Sequence, residues 1–302
     1  MNFATFFWNP SREIFTIPFL NFSVLYYSLF FALGFLGGYF LFATLLKRYF
    51  LRSSLFANEE ISSIKKRASA ITEKLFIFVI IATIAGARIG HLLFYEKFSS
   101  FIANPLIIFK VWEGGLASHG AALFIFIALF LFCPYLKRRF ALELDVRTLF
   151  DLVAPPTAFA AVWIRLGNFF NQEILGKPTS LPWAIIFGNP MDGSGLVPRH
   201  PAQLYEAVAY FFIFIFLFYL SGKPRFLLKK GRVMGLFLIL VFLFRFFIEF
   251  LKEEQSILLP QGAFLTMGQC LSIPFIFLGF FLFFFCTKEK RLFCTPPEEE
   301  RR

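Results

Sequence analysis

Long apolar runs alternate with short polar segments along the chain, a pattern that is typical of a helical membrane protein. Seven of the runs are close to the roughly 20 residues that a helix needs to cross the hydrocarbon of a bilayer. The predicted spans are residues 22–46, 75–95, 114–136, 149–170, 203–220, 233–251 and 267–285. The fourth contains Asp151, Pro155 and Pro156, so part of it must face protein or water. We therefore predict an all-α, polytopic fold in one membrane domain, residues 1–302.

The composition supports a membrane protein, since 58% of the 302 residues are hydrophobic and only 16% are charged. The net charge of +11 is concentrated in particular loops, which argues against nucleic acid as a partner. No cleaved signal peptide is expected, because no basic run precedes a short apolar core at the N-terminus. The cysteines lack metal-ligand spacing and a CxxC pair, so we expect them to be unpaired apolar side chains. They are Cys133, Cys270, Cys286 and Cys294.

Basic residues fall in alternate loops, and this distribution predicts the orientation of the chain. They lie in the first, third and fifth loops, at positions 47, 48, 52, 65, 66, 67, 74, 137, 138, 139, 147, 223, 225, 229, 230 and 232. By the positive-inside rule these loops are cytoplasmic, which places the N-terminus outside and the C-terminus inside. Residues 172–202 would then form a periplasmic loop and residues 286–302 a cytoplasmic tail.

Several ionisable side chains lie inside the predicted spans, where each charge costs roughly 2.5–3.5 kcal/mol at the membrane centre. Counting 1.5 Å per residue places Arg88, Arg165 and Arg245 about 18–24 Å above the inner membrane boundary. Glu249 lies one turn above Arg245, and His119 lies about 8 Å below the outer boundary. This shared depth predicts one polar cavity, rich in positive charge, in the outer half of the membrane. Its expected ligand is an anionic lipid head group, because the arginine fork suits phosphate.

Each of these residues also has a purely structural interpretation. Arg245 and Glu249 are spaced i, i+4 and could pair with each other. Arg88 is flanked by two glycines that permit close helix approach, so it could simply hold helices together. His119 could be a hydrogen-bonded histidine, although a pKa near 6.5 suits proton transfer. Arg165 is the strongest ligand candidate because two asparagines follow it within two turns.

The run from Arg165 to Gly176, RLGNFFNQEILG, is the most specific motif in the chain. With it, the chain resembles the prolipoprotein diacylglyceryl transferase family. Supporting matches occur in the family's order at residues 86–90, 112–120, 199–206, 235–249 and 267–269. Together they cover nearly the whole chain. Three positions depart from the family pattern: Ile164 and Ala121 replace glycines, and Val241 replaces a tyrosine one turn before Arg245.

The resemblance implies a reaction at the bacterial inner membrane, with the active site toward the periplasm. An sn-1,2-diacylglyceryl group passes from phosphatidylglycerol to the lipobox cysteine thiol of a prolipoprotein, forming a thioether and releasing glycerol phosphate. His119 is our candidate for the base that activates the thiol, with Glu249 as second choice. Arg165 and Arg245 would stabilise the charge that develops on the leaving phosphate.

The remaining candidates bind the phosphatidylglycerol head group, together with both catalytic arginines. They are Tyr27, Arg88, Asn168, Asn171, Glu173 and Gly176. Expected partners are phosphatidylglycerol, the lipobox peptide and membrane lipids, with no cofactor and no metal. The leading alternative is a transporter or flippase for an anionic lipid or metabolite, which predicts access from both sides. A non-catalytic membrane scaffold would leave the convergent charges unexplained.

Overall fold

The computed structural model describes residues 6–19, 22–53, 56–94, 96, 105–109, 115, 117–223, 226, 228–254, 264–285 and 287–288. Four predicted features lie wholly or largely outside this set. They are Cys286, Cys294, residues 112–114 of one motif, and the tail 286–302 apart from residues 287–288.

Within these ranges the protein has seven helices that are long and apolar enough to cross a membrane. They are α1 (Tyr26–Leu51), α2 (Ile61–Phe94), α3 (Ser118–Phe140), α4 (Val146–Asn171), α5 (Ala202–Ser221), α6 (Arg232–Ile248) and α7 (Met267–Phe284). Two 3-10 turns, Pro105–Phe109 and Glu249–Leu251, follow α2 and α6. The predicted helical, multi-pass membrane fold is confirmed.

Three helices begin four or more residues away from their predicted starts, each for a local reason. Helix α2 starts fourteen residues before position 75, because its first turns are helical but carry exposed charges that a search for apolar runs passes over. At 34 residues it is about 51 Å long, well beyond the 30 Å hydrocarbon. Helix α1 starts after a strand, and α3 starts at Ser118 because Ala117 is extended. The predicted start of that third span, residue 114, lies outside the described residues.

Short strands, which the apolar pattern did not predict, surround the helix ends. They are β1 (Phe6–Trp8), β2 (Glu13–Ile17), β3 (Phe22–Leu25), β4 (Ile185–Phe187), β5 (Pro198–Arg199), β6 (Lys229–Lys230) and β7 (Thr287–Lys288). Strand β4 pairs parallel with β1 and antiparallel with β5, while β2–β3 and β6–β7 are antiparallel pairs. The segment between α4 and α5 therefore contains two strands, β4 and β5, of a three-stranded sheet.

The chain divides into two compact units. The first comprises residues 1–45 and 151–295, and the second comprises residues 46–150 with 296–302. The prediction that residues 1–302 act as one domain stays a prediction.

In the first unit the least apolar helix, α4, is anchored by a buried carboxylate. Asp151 accepts hydrogen bonds from the backbone N–H groups of Gly231 (2.6 Å) and Met234 (2.8 Å) at the start of α6. A helix N-terminus has unsatisfied N–H groups, so this carboxylate stabilises α6 while its own charge is compensated. Pro155 and Pro156 are also buried, as expected for a span that faces protein.

In the second unit α2 and α3 pack through glycines. A side chain at Gly90 would overlap the backbone of Gly120, and one at Gly86 would overlap Phe124. Small residues let membrane helices approach closely, so the glycines flanking Arg88 have the packing role that their spacing suggested.

Candidate functional site

The C-terminal end of α4 carries the polar run 165–173, and the short sheet fixes its position. Trp8 of β1 stacks on Phe169 with ring centroids 4.7 Å apart, and its indole N–H donates to the Phe169 carbonyl at 3.2 Å. Gln172 ends the helix in the left-handed region (φ 55°). Its buried side-chain oxygen accepts from the Asn189 N–H at 2.7 Å. The motif residues that follow Arg165 are therefore held by loop structure.

A continuous series of side-chain contacts crosses the first unit, and we call it the polar chain. It consists of Glu173, Asn168, Arg165, Glu206, Lys252 and Glu249. Asn168 is the link at one end: its amide donates to Glu173 Oε1 at 2.6 Å, and its Oδ1 accepts from Arg165 Nη1 at 3.1 Å. An asparagine can donate and accept at once, so it joins the carboxylate to the guanidinium.

Glu206, in the second turn of α5, lies at the centre of the polar chain and is fully buried. Its Oε2 lies 3.3 Å from Arg165 Nε and 3.0 Å from Lys252 Nζ. Its Oε1 accepts a hydrogen bond from the Tyr210 hydroxyl at 3.1 Å. A buried carboxylate is tolerated only when paired and hydrogen-bonded, and Glu206 meets both conditions.

Lys252 joins Glu206 to Glu249, whose Oε2 lies 3.5 Å from the ammonium group. Burial lowers the pKa of Lys252, and the charges of Glu206 and Glu249 oppose that shift. The Glu249 carboxylate lies against the first turn of α7, where any side chain at Gly268 would overlap it. This position near a helix N-terminus favours negative charge.

Arg245 approaches the same region from α6, yet among the described residues its guanidinium makes no hydrogen bond or ion pair. Its charge acts on the phenol of Tyr210, over whose ring the Arg165 Cζ lies at 6.0 Å from the centroid. The alternative in which Arg245 pairs with Glu249 is wrong, because the Glu249 carboxylate lies beside the Lys252 ammonium group instead. Two arginines from different helices thus face one tyrosine.

The charges around Tyr210 are balanced. Arg165, Arg245 and Lys252 carry positive charge. Glu173, Glu206 and Glu249 carry negative charge. The described part of the first unit therefore differs from a purely positive site, and Arg245 is the one cation of this set outside the ion pairs. The predicted cavity itself stays a prediction.

The other predicted head-group ligands of the first unit have different surroundings. Tyr27 packs its ring against Gly167, and the charges of Glu173 and Arg165 act on its phenol. Asn171, the last residue of α4, is half-buried and makes no side-chain hydrogen bond within the described part of the chain. Gly176 is buried against the backbone of His200, which leaves no room for a side chain.

The backbone around Gly176 also determines where Lys252 lies. Gly176 and Lys252 form an antiparallel bridge, flanked by hydrogen bonds from Lys177 N to Leu251 O (2.8 Å) and from Glu253 N to Leu175 O (3.0 Å). Arg199 of β5 donates to the Gly176 carbonyl at 3.2 Å and pairs with Glu253 at 2.7 Å. The segment after α6 is thus joined to the loop after α4.

In the second unit, Arg88 uses its guanidinium on backbone carbonyls. Nε and Nη2 donate to the Ile107 carbonyl at 3.1 and 2.6 Å, and Nη1 donates to the Gly115 carbonyl at 3.3 Å. The side chain is 4% exposed. These contacts match the structural interpretation of Arg88, and its role in lipid binding stays a prediction.

His119 also belongs to the second unit, where it is exposed in the first turn of α3. It lies one residue inside the helix, rather than five residues into a span that starts at 114. Its assignment as a base is not tested by this geometry and stays a prediction.

The sequence profile of the prolipoprotein diacylglyceryl transferase family matches residues 13–285. The chain belongs to this family. A relative from Chlamydia caviae, named phosphatidylglycerol–prolipoprotein diacylglyceryl transferase, is 40% identical over 294 residues, covering 95% of this chain and 96% of that protein. Proteins of the same name from Protochlamydia amoebophila and Tolumonas auensis are 33% and 37% identical, covering 96% and 94% of this chain and 97% and 98% of their own lengths. The predicted family is confirmed, and transferase is favoured over transporter or scaffold.

Family membership directs attention to residues that our sequence analysis left out of the site. Glu206 was part of a recognised motif but was given no role, and Lys252 and Tyr210 were not considered. A carboxylate in the second turn of an apolar span is itself a signal, because an intramembrane charge needs a partner. Lys252 follows Glu249 by three residues, the spacing at which side chains align in a 3-10 turn.

The chemistry available to this arrangement is anion binding and charge stabilisation. Arginines that are held before a ligand arrives can stabilise developing negative charge without a cost of reorganisation. Within the described residues, no group of three or more histidine, cysteine, aspartate or glutamate side chains is placed to hold a metal ion. Cys133 and Cys270 are free thiols there.

Proposed function

We propose that this protein transfers the sn-1,2-diacylglyceryl group of phosphatidylglycerol to the lipobox cysteine of prolipoproteins. The thiol sulfur attacks the glycerol carbon that carries the phosphate, the C–S bond forms as the C–O bond breaks, and the electron pair leaves with glycerol phosphate. The thiol proton passes to a base. The relatives carry this activity in their names, and the motif residues lie at one end of the helices of the first unit.

One observation carries the proposal: Arg245 makes no hydrogen bond or ion pair among the described residues, while its charge and that of Arg165, from a different helix, both act on the phenol of Tyr210. A charge inside a membrane span is costly without a partner, so a guanidinium in this position is suited to an anion that comes and goes. The phosphate of phosphatidylglycerol supplies that anion. As the C–O bond breaks, the phosphate gains charge, and both arginines would stabilise it.

The head-group site would be completed by the residues that the sequence singled out. Tyr27, Asn168 and Asn171 would orient the glycerol phosphate, with Asn171 offering an amide that has no side-chain partner in the described structure. Glu173 and Gly176 would shape the outer edge. The resemblance also implies a role for Arg88 in lipid binding, but its contacts with backbone carbonyls favour the structural role, and KM for phosphatidylglycerol decides between the two.

For the base we retain His119, with Glu249 as second choice. His119 is exposed at the start of α3, and an imidazole can accept a proton at one ring nitrogen while the other nitrogen donates a hydrogen bond. Glu249 is engaged by Lys252, whose Nζ lies 3.5 Å from its Oε2, so the carboxylate is less available to a substrate thiol.

We infer that the site opens toward the periplasm from the bacterial inner membrane. The polar residues of the first unit come from the N-terminal ends of α1, α5 and α7 and from the C-terminal ends of α4 and α6. The basic residues lie at the opposite helix ends, as at Arg48, Arg147, Lys223 and Arg232. With basic loops inside, residues 172–202 face the periplasm, residues 286–302 form the cytoplasmic tail, and the whole chain acts as one transferase domain.

A direct assay tests the function. Purified protein in vesicles that contain phosphatidylglycerol is incubated with a lipobox peptide, and the product is identified by mass spectrometry as a diacylglyceryl thioether. Vesicles without phosphatidylglycerol and a peptide with serine in place of cysteine serve as controls. Absence of the thioether, while the relative from Chlamydia caviae forms it under the same conditions, would contradict the proposal.

The same vesicles test the transporter or flippase alternative. Labelled phosphatidylglycerol placed in one leaflet should move to the other leaflet no faster than it does in protein-free vesicles. Movement between leaflets that depends on the protein, without thioether product, would favour transport.

A further inference from the structure

Tyr210 carries a buried hydroxyl inside a membrane-spanning helix, and no step of the proposed transfer reaction uses it directly. The side chain is 3% exposed in the third turn of α5. Its hydroxyl donates to Glu206 Oε1 at 3.1 Å, one turn earlier on the same helix. Because an unbonded hydroxyl is costly to bury, this bond fixes both partners.

The hydrogen bond to Oε1 determines where the other oxygen of Glu206 points. Oε2 lies 3.3 Å from Arg165 Nε and 3.0 Å from Lys252 Nζ. A carboxylate held at one oxygen cannot rotate freely, so the Tyr210 hydroxyl keeps Oε2 facing both cations. The ring of Tyr210 also lies beside Arg165, with Cζ 6.0 Å from the centroid, and the charge of Arg245 acts on its phenol.

Building on the proposed function, we propose that Tyr210 is a positioning residue for the transfer reaction. It acts through Glu206, whose orientation sets the position of Arg165. The effect belongs to the step in which the phosphate gains charge, so it is expected in kcat more than in KM for phosphatidylglycerol.

Tyr210→Phe removes the hydroxyl and keeps the ring, and it tests the proposal in the transfer assay on the full-length protein. We expect kcat to fall about tenfold, the effect of losing a hydrogen bond to a charged group, with little change in KM and a lower thermal midpoint, because Glu206 Oε1 loses its buried partner. Tyr219→Phe is the matched control, since Tyr219 lies on the same helix but is 59% exposed beside Lys223. It should leave kcat unchanged. A kcat of Tyr210→Phe within twofold of the unaltered protein overturns the proposal.

A double-mutant cycle separates positioning from general stabilisation. If the hydroxyl acts through the carboxylate, Glu206→Gln and Tyr210→Phe combined should lose less activity than the product of the two single losses. Losses that multiply indicate a merely structural role and overturn the proposal.

Glu206→Gln keeps the proposal testable even if Tyr210→Phe does not fold. Because the hydroxyl acts through the carboxylate, kcat of this variant should fall at least about tenfold, and an unchanged kcat overturns the proposal. Absence of transfer by the unaltered protein would instead reject the proposed function.

Discussion

Two arginines inside apolar helices of this protein are accommodated in opposite ways. In the second unit, Arg88 directs three nitrogens at the carbonyls of Ile107 and Gly115 and so binds its own backbone. In the first unit, Arg245 makes no hydrogen bond or ion pair within the described residues and faces Tyr210 beside Arg165. A membrane arginine whose donors are used by carbonyls stabilises the fold, whereas one whose donors are unused is suited to a ligand.

The largest expected effect is at the arginines of the first unit. Arg245→Ala or Arg165→Ala should lower the transfer rate about 100- to 1,000-fold, because charge on the leaving phosphate loses a positioned partner. Insertion into the membrane should persist. Arg138→Ala, at an exposed position of α3, is the control and should leave the rate unchanged. Near-normal turnover by either variant would contradict the assignment of that arginine to the leaving phosphate.

Glu206→Gln should come next, with a loss of transfer of about 10- to 100-fold and a lower thermal midpoint. Removing the carboxylate charge leaves Arg165 and Lys252 buried with less compensation, and breaking a buried pair typically costs about 3–5 kcal/mol. Glu143→Gln is the control because Glu143 forms an exposed ion pair with Lys137, a type worth little. Equal effects of the two substitutions would contradict a central role for Glu206.

Arg88→Lys should affect stability rather than chemistry. A lysine cannot reproduce bonds from three guanidinium nitrogens to two carbonyls, so we expect a loss of about 2 kcal/mol, measured as a lower thermal midpoint. KM for phosphatidylglycerol and kcat should change less than twofold at a temperature where the variant is folded. A raised KM for phosphatidylglycerol without loss of stability would contradict the structural role and assign Arg88 to lipid binding.

Gly268→Ala should slow transfer several-fold, because a methyl group there overlaps the Glu249 carboxylate and displaces it from Lys252. Gly195→Ala is the matched control, since nothing lies within 4 Å of the corresponding position. Both variants are compared by kcat at saturating lipid. Identical rates would show that Glu249 can move without consequence.

The smallest expected effect concerns pH and the loop after α4. Burial lowers the pKa of His200, whose Nδ1 lies 3.4 Å from the Tyr205 hydroxyl. In the unfolded chain the pKa of this histidine has its ordinary value near 6.5, whereas in the folded protein it is lower. The folded protein therefore keeps its full stability above about pH 6.5 and loses part of it as the pH falls toward the folded pKa. The thermal midpoint should fall slightly more between pH 7 and 5 for the unaltered protein than for His200→Gln. A difference of opposite sign would contradict the assignment.

The sequence predicted the helices well because an apolar run of membrane length has few alternative structures. The prediction of helix boundaries failed where the local apolar pattern does not follow the secondary structure. Residues 61–74 are helical but polar on the surface, and residues 22–25 form a strand within an otherwise apolar run. Strands of two to five residues, such as β2 and β5, are too short to give a recognisable period.

The candidate site was predicted only in part, for a similar reason. Arg165 and Asn168 were found because they stand close together in one motif. Their partners Glu206 and Lys252 lie 41 and 87 positions after Arg165, and only the folded chain brings them together. The pairing of Arg245 with Glu249 was suggested by their i, i+4 spacing, but the Glu249 carboxylate lies 3.5 Å from Lys252 Nζ instead.

The bridge between Gly176 and Lys252 has a consequence for recombining this protein with its relatives. Because residues 175–177 and 251–253 are hydrogen-bonded to one another, the loop after α4 and the end of α6 form one exchangeable module. A chimera that takes only residues 172–202 from a relative would pair a foreign backbone segment with the native residues around Lys252. Exchanging both segments together preserves the register on which the lysine depends.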